Sequence, residues 1–268
     1  MESHEAIEKI IPLLGFPERF KEIESHLTEN SNLPGPRGNL TLAFKFAESF
    51  ETEAVSNELV DLLVKWVNLS PEEAPTNHPG EYLSFCGILC LGSHYCFADE
   101  SRKELIMDQF KTAMNDIRWR VKEGAAMGFQ KIAERDFEPI KKFFLQWYEG
   151  STYAEKRAFI AALAHPPILA DKEIARFSLK ISGDILDEVL KTDKTARKSE
   201  EFKVLSKGLQ YALSVFTAYL PEEGFELLKK YAKINDPELK KIIKSNLGKS
   251  RLAKPFASNV AEVAALLS

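Results

Sequence analysis

Apolar residues along this chain recur every three or four positions, the spacing that gathers them on one side of an α-helix. Between Glu53 and Val67, for example, Val60, Leu63, Val64 and Val67 stand at i, i+3, i+4 and i+7 and predict a helix buried along one stripe. The same rhythm returns after each break. Breaks fall where proline and glycine gather: at Leu33-Pro34-Gly35-Pro36, in Ser70 to Gly80 with Pro71, Pro75 and Pro79, at His165-Pro166-Pro167, at Pro221 and at Asp236-Pro237. Neither Asn-Gly nor Asp-Gly occurs, and no alternating run is long enough to require a strand. The pattern predicts an all-α protein.

From about residue 80 onward the helices are expected in pairs, over 80–113, 116–149, 153–190, 198–233 and 236–267. That spacing, roughly 35 to 45 residues, is the length of a two-helix solenoid repeat. Such a pair does not bury its apolar face alone, so only stacking makes a core. Four more helical segments, near 4–14, 17–28, 39–49 and 53–68, are read as an irregular acidic cap over 1–78, continuous with repeats over 79–268.

The clearest repeat starts at Asp116, an acid expected to cap the following helix, with Val121 and Ala125 on the inner face and Lys122 at the edge. Gly124, Ala125, Ala126 and Gly128 leave room for a neighbouring helix. A second copy reads Asp236-Pro-Glu-Leu239-Lys240, followed by Ile243 and Leu247. On these residues the chain resembles HEAT-repeat proteins, whose pattern is a turn Asp, then an apolar residue, a basic residue, and a small or apolar residue one turn later. The resemblance is strongest over 116–130, weaker over 236–250, and poor in the first 80 residues. It implies an α-solenoid of HEAT-like helix pairs with a concave binding face.

Composition agrees with a soluble chain: of 268 residues 44% are hydrophobic and 28% charged, with a formal net charge of −4. The near-neutral total hides an asymmetry, because residues 1–100 hold 6 basic and 17 acidic side chains while residues 101–268 hold 30 and 23. Two surfaces with different partners, or one that complements the other, are implied. Three cysteines, Cys86, Cys90 and Cys96, are an odd and clustered set, which argues for a reducing compartment. The opening MESHEAIEKI carries acids where a secretory leader carries a basic and then an apolar region. No uncharged apolar run reaches the ~18 residues of a membrane span. A cytoplasmic location without a membrane partner is the expectation.

Chemistry is sparser than architecture. Cys86, Cys90 and His94 stand at i, i+4 and i+8. A straight helix turns them apart by ~40° per step, and the segment around them is apolar and small, so core packing is preferred to a metal site and no cofactor is expected. There is no Walker-type or dinucleotide-binding glycine pattern, no His-Glu-x-x-His and no Gly-x-Ser-x-Gly, and His4, His26, His78, His94 and His165 are scattered. General hydrolase and kinase chemistry is disfavoured.

Two groups of residues suggest binding. Trp119 and Glu123 are four apart, Tyr153 and Arg157 open another helix, and Tyr211 sits on a third; on a concave face they could converge. Here the chain resembles, more faintly, the DNA glycosylases built from HEAT-like repeats that remove alkylated purines. Those place a Trp and an Asp four residues apart, an Arg on the next repeat and an aromatic residue on the one after. Trp119, Glu123, Arg157 and Tyr211 correspond, with Glu in place of Asp and Tyr in place of Trp. The resemblance implies that Glu123 and Arg157 are the catalytic candidates, the carboxylate stabilising an oxocarbenium-like sugar. The alternative is that Trp119 packs at a repeat start and Glu123 pairs with Arg120 or Lys122.

The other group is a basic tail. Phe225 to Pro255 holds nine basic residues, among them Lys240, Lys241, Lys244 and Arg251, against Glu226, Asp236 and Glu238. Such a surface suits a phosphate backbone, or the acidic part of a neighbouring chain, or simply water. Lysine predominates and no aromatic residue alternates with the charges, so base stacking is not expected. The leading expectation is a non-catalytic scaffold that binds protein or nucleic acid on a concave face; the alternative is a glycosylase-like protein recognising alkylated purines.

Overall fold

The computed structural model describes residues 7–267, and all regular structure in that span is helical. His4 and the first residues of the segment expected over 4–14 lie outside it. The chain divides between Ile140 and Lys141 into two units. The first holds α1 (Phe20–Glu29), α2 (Leu40–Glu48), α3 (Asn57–Val67), α4 (Glu81–His94), α5 (Glu100–Met114) and α6 (Trp119–Arg135). Helix α7 (Glu138–Tyr148) runs across the division. The second holds α8 (Tyr153–Leu163), α9 (Lys172–Lys191), α10 (Glu200–Tyr219), α11 (Pro221–Ala232), α12 (Pro237–Leu247) and α13 (Ala257–Ala265), with short helical turns at Pro166–Leu169 and Ser250–Ala253.

Two main helices fall within each span expected after residue 80, because proline and capping residues fix the boundaries. Ser199 caps α10, Asp171 caps α9, and Thr152 with Glu155 forms a reciprocal capping box on α8. The helix expected from Glu53 begins later, at Asn57, since the Ser56 hydroxyl accepts from the Leu59 N–H and sets the start there. Helices α2 and α3 pack on α4, so the described residues 7–78 belong to the same unit as the helices that follow.

Helix α4 is the centre of the first unit. All its residues from Glu81 to His94 are buried, which is why it shows no amphipathic stripe. The small residues near 124–128 serve the close crossing anticipated from sequence. A Cβ on Gly92 of α4 would stand 2.6 Å from Gly128 Cα of α6, and one on Gly124 would stand 2.7 Å from Ile88 Cγ2. In the second unit α10 is central and touches α8, α9, α11 and α12. There Asn246 of α12 is fully buried and fits into the α10 backbone: its Oδ1 accepts from Ser214 N (2.8 Å) and its Nδ2 donates to Leu209 O (2.9 Å).

His94, at the end of α4, is fully buried; its Nδ1 lies 3.1 Å from Thr52 O and its Nε2 has no hydrogen-bond partner. Burial holds its pKa below the ordinary value, and the charge of Arg102 adds to this. Since the unfolded chain protonates this ring near about 6.5 and the folded chain only lower, stability is complete above that value. It is lost as pH falls through the lowered folded pKa. We expect the first unit to melt earlier at pH 5.5 than at 7.5, and His94→Gln to flatten that slope in thermal denaturation.

Candidate functional site

The first unit contains a cavity of about 300 Å³ lined by Pro36, Arg37, Gly38, Leu40, Tyr82, Phe85, Trp119, Arg120, Glu123 and Met127. Trp119 and Glu123, singled out from their four-residue spacing, therefore face one space, as residues one helical turn apart on α6 should. Tyr82 and Phe85 of α4 supply stacked aromatic rings (6.1 Å between centroids), and Tyr82 Oη donates to Asn39 O at 2.6 Å. Trp119 is about half exposed at 49%. A volume of this size lies at the lower end of the range of small-molecule pockets.

Two arginines brace this part of the unit, Arg120 in the cavity wall and Arg118 just before α6, and neither role was legible in the sequence. Arg118 is buried: its guanidinium donates to both carboxylate oxygens of Asp116, to Ala74 O, to Leu69 O and to Ser84 Oγ. This corrects the expected role of Asp116. Its carboxylate accepts from Arg118 N at 2.6 Å and holds the guanidinium, and Arg118, with no side-chain cap, is the first residue before α6. Ile117 and Arg118 separate it from the first helical residue, two more than a capping turn allows, so Asp116 stands too early to cap. The second copy behaves as read: Asp236 caps α12 through Glu238 N and Leu239 N, and it also pairs with Arg197 at 2.7 Å. Burial works against that carboxylate's charge, but the Leu239 amide and Arg197 outweigh it and hold its pKa below the usual value.

Arg120 was a candidate partner for Glu123. Its guanidinium instead reaches Glu81 (3.0 Å), Gly35 O (2.6 Å) and Asn77 Oδ1 (3.2 Å), while Asn77 Oδ1 also accepts from Gly35 N and Asn77 N donates to Glu81. This ties the 33–38 loop, one wall of the cavity, to α4 and α6. Gly35 is required in it, because an added Cβ would stand 2.4 Å from Asn32 O.

Tyr153, Arg157 and Tyr211 belong to the second unit. The Tyr153 ring meets Phe202 edge-on at 5.5 Å. Arg157 is buried, and its Cγ lies 3.5 Å from where a Cβ on Gly208 would be. Tyr211 is 49% exposed and carries the Arg251 guanidinium over its ring at 4.4 Å and Lys249 Nζ at 5.9 Å. In the tail, Lys229 pairs with Glu226 and Glu262, Lys230 with Asp187, and Lys241 with Glu238, whereas Lys240, Lys244, Lys249, Arg251 and Lys254 have no ion pair among the described residues. The nine-to-three surplus is thus reduced by partners outside the segment, but a basic face remains.

Cys86 and Cys90 are buried in α4, and burial pushes both thiols well above the ordinary range, leaving them protonated. Among the described residues no group of three His, Cys, Asp or Glu side chains is arranged to hold a metal ion, and no helix is long and apolar enough to cross a membrane.

Comparison with known proteins adds little to this geometry. No protein-family model matches the chain, and no curated protein matches it. Among solved structures, a designed armadillo repeat protein, YIII(Dq)4CqI, is 15% identical, covering 82% of this chain and 98% of its own, with a TM-score of 0.28. That superposition is too loose to carry a fold assignment, which rests on the helices themselves.

Proposed function

We propose that this protein is a non-catalytic scaffold of HEAT-like helical repeats that holds a nucleic acid on its second unit. The observation that carries this reading is the set of cations without acidic partners on and after α12: Lys240, Lys244, Lys249, Arg251 and Lys254. Each phosphate that such groups neutralise releases a counterion, so affinity should fall with a log–log slope of about −0.9 per contact on duplex DNA. Titration with duplex DNA between about 50 and 200 mM salt tests it. Binding should weaken steeply, and the Lys240→Ala, Lys241→Ala, Lys244→Ala variant should show a shallower slope by about two to three units. Absence of binding to duplex and single-stranded DNA alike at the lowest salt would end the reading. A protein partner held by the acidic first unit would survive that triple substitution.

A second reading, a glycosylase-like protein acting on alkylated purines, is favoured by one specific observation: Trp119 and Glu123 line the same cavity. An aromatic wall beside a carboxylate suits a planar cationic base and the positive charge that develops on the sugar. If so, methylated duplex DNA with protein in excess should release base, and Glu123→Gln should slow release by about 10²-fold or more. No release from the wild-type protein removes this reading and leaves the scaffold reading standing.

A further inference from the structure

In sequence the basic residues of the tail lack an aromatic companion; the fold supplies one. Tyr211 and Lys207 stand four apart on α10, both exposed. Lys241 and Ser245 stand four apart on α12, and Ser245 Oγ donates to Gln210 O at 3.2 Å, so the two rows lie side by side. Arg251 and Lys249, from the turn after α12, complete the group over the Tyr211 ring. Among the described residues the one carboxylate seen bonded within this strip, Glu238, already accepts from Ser206 Oγ and from Lys241. Asn246 and Ser245 tie Leu209 O, Gln210 O and Ser214 N of α10, the backbone on either side of Tyr211, which makes its base rigid.

We propose that this cluster is a stacking site for an unpaired nucleobase, with Lys207, Lys241, Lys249 and Arg251 meeting the flanking phosphates, so that the preferred partner is single-stranded nucleic acid. The inference rests on the nucleic-acid reading above and makes it narrower. A single exposed ring under cations offers a stacked duplex nothing but charge, whereas an unstacked base gains the ring as well. Nothing in base–ring stacking requires a particular base, so sequence preference should be weak.

The test is a fluorescence-anisotropy titration of the full chain with labelled oligothymidine and with a duplex of equal length, across a salt series. Wild type should bind the single strand more tightly. Tyr211→Ala should weaken single-strand binding by about 5- to 100-fold, as expected for one stacked base. It should leave duplex binding and the salt slope unchanged, since it removes no charge. Tyr211→Trp should retain or improve single-strand affinity, and Arg251→Ala should lower the single-strand slope by about 0.7. Equal single-strand affinity of wild type and Tyr211→Ala, with binding otherwise intact, overturns the stacking site while the scaffold reading stands. Failure of wild type to bind either oligonucleotide overturns both.

Discussion

Replacing Arg118 by Ala is expected to lower the stability of the first unit by about 3 to 5 kcal/mol. The side chain is 1% exposed and joins four parts of the unit: the Asp116 turn, Leu69 O, Ala74 O and the Ser84 hydroxyl on α4. Its removal leaves a nearly buried carboxylate without its cation and two backbone carbonyls without a donor. Each such loss costs more than the intact bond contributed, because water does not reach the site to replace it. Asp116→Asn should cost less, since an amide oxygen still accepts from Arg118 N. Denaturant unfolding followed by Trp66 fluorescence, in a Trp119→Phe, Trp147→Phe background where it is the one tryptophan, reads both effects. A midpoint for Arg118→Ala equal to that of the background would contradict the assigned role. Because Trp119 follows Arg118 directly, the same variant should also loosen the cavity.

Gly92→Val is expected to destabilise the first unit by about 3 kcal/mol. Glycine within a helix ordinarily costs up to about 1 kcal/mol relative to alanine, so propensity alone would favour replacing it. Sterics decide otherwise. The nearest atoms to an added Cβ are backbone, Gly128 Cα and O at 2.6 Å, and backbone moves only if α4 and α6 separate. Separation would expose the packing of Phe110 under Gly128 and of Ile88 under Gly124. Gly15 is the control: nothing lies within 4 Å of its Cβ position, and Gly15→Ala should stay within about 0.5 kcal/mol of wild type in the same assay.

The contrast between Asp116 and Asp236 shows how far sequence pattern reaches. Both stand before a basic and apolar helix start, and both read as caps. Asp236 is followed by proline, which fixes the first helical residue beside it, and it caps. Asp116 is followed by Ile117 and Arg118, and a buried guanidinium captures the carboxylate before the helix begins. Partners 34 to 49 residues away supplied the rest of that guanidinium's bonds, and no local pattern records them. Trp119 and Glu123 were found because their spacing is itself helical geometry. Arg120 and the 33–38 loop that closes the cavity were not, since their pairing joins segments 85 residues apart.

The all-α class and the approximate positions of the helices were written in the sequence, because they depend on period, caps and proline, which act over a few residues. The charge asymmetry was likewise legible as a count. Which cations are ion-paired, which aromatic ring lies beneath Arg251, and which glycine touches which backbone were decided by the packing. Those facts come from helices that meet across long stretches of chain, where close contact of neighbours rather than local preference selects the arrangement.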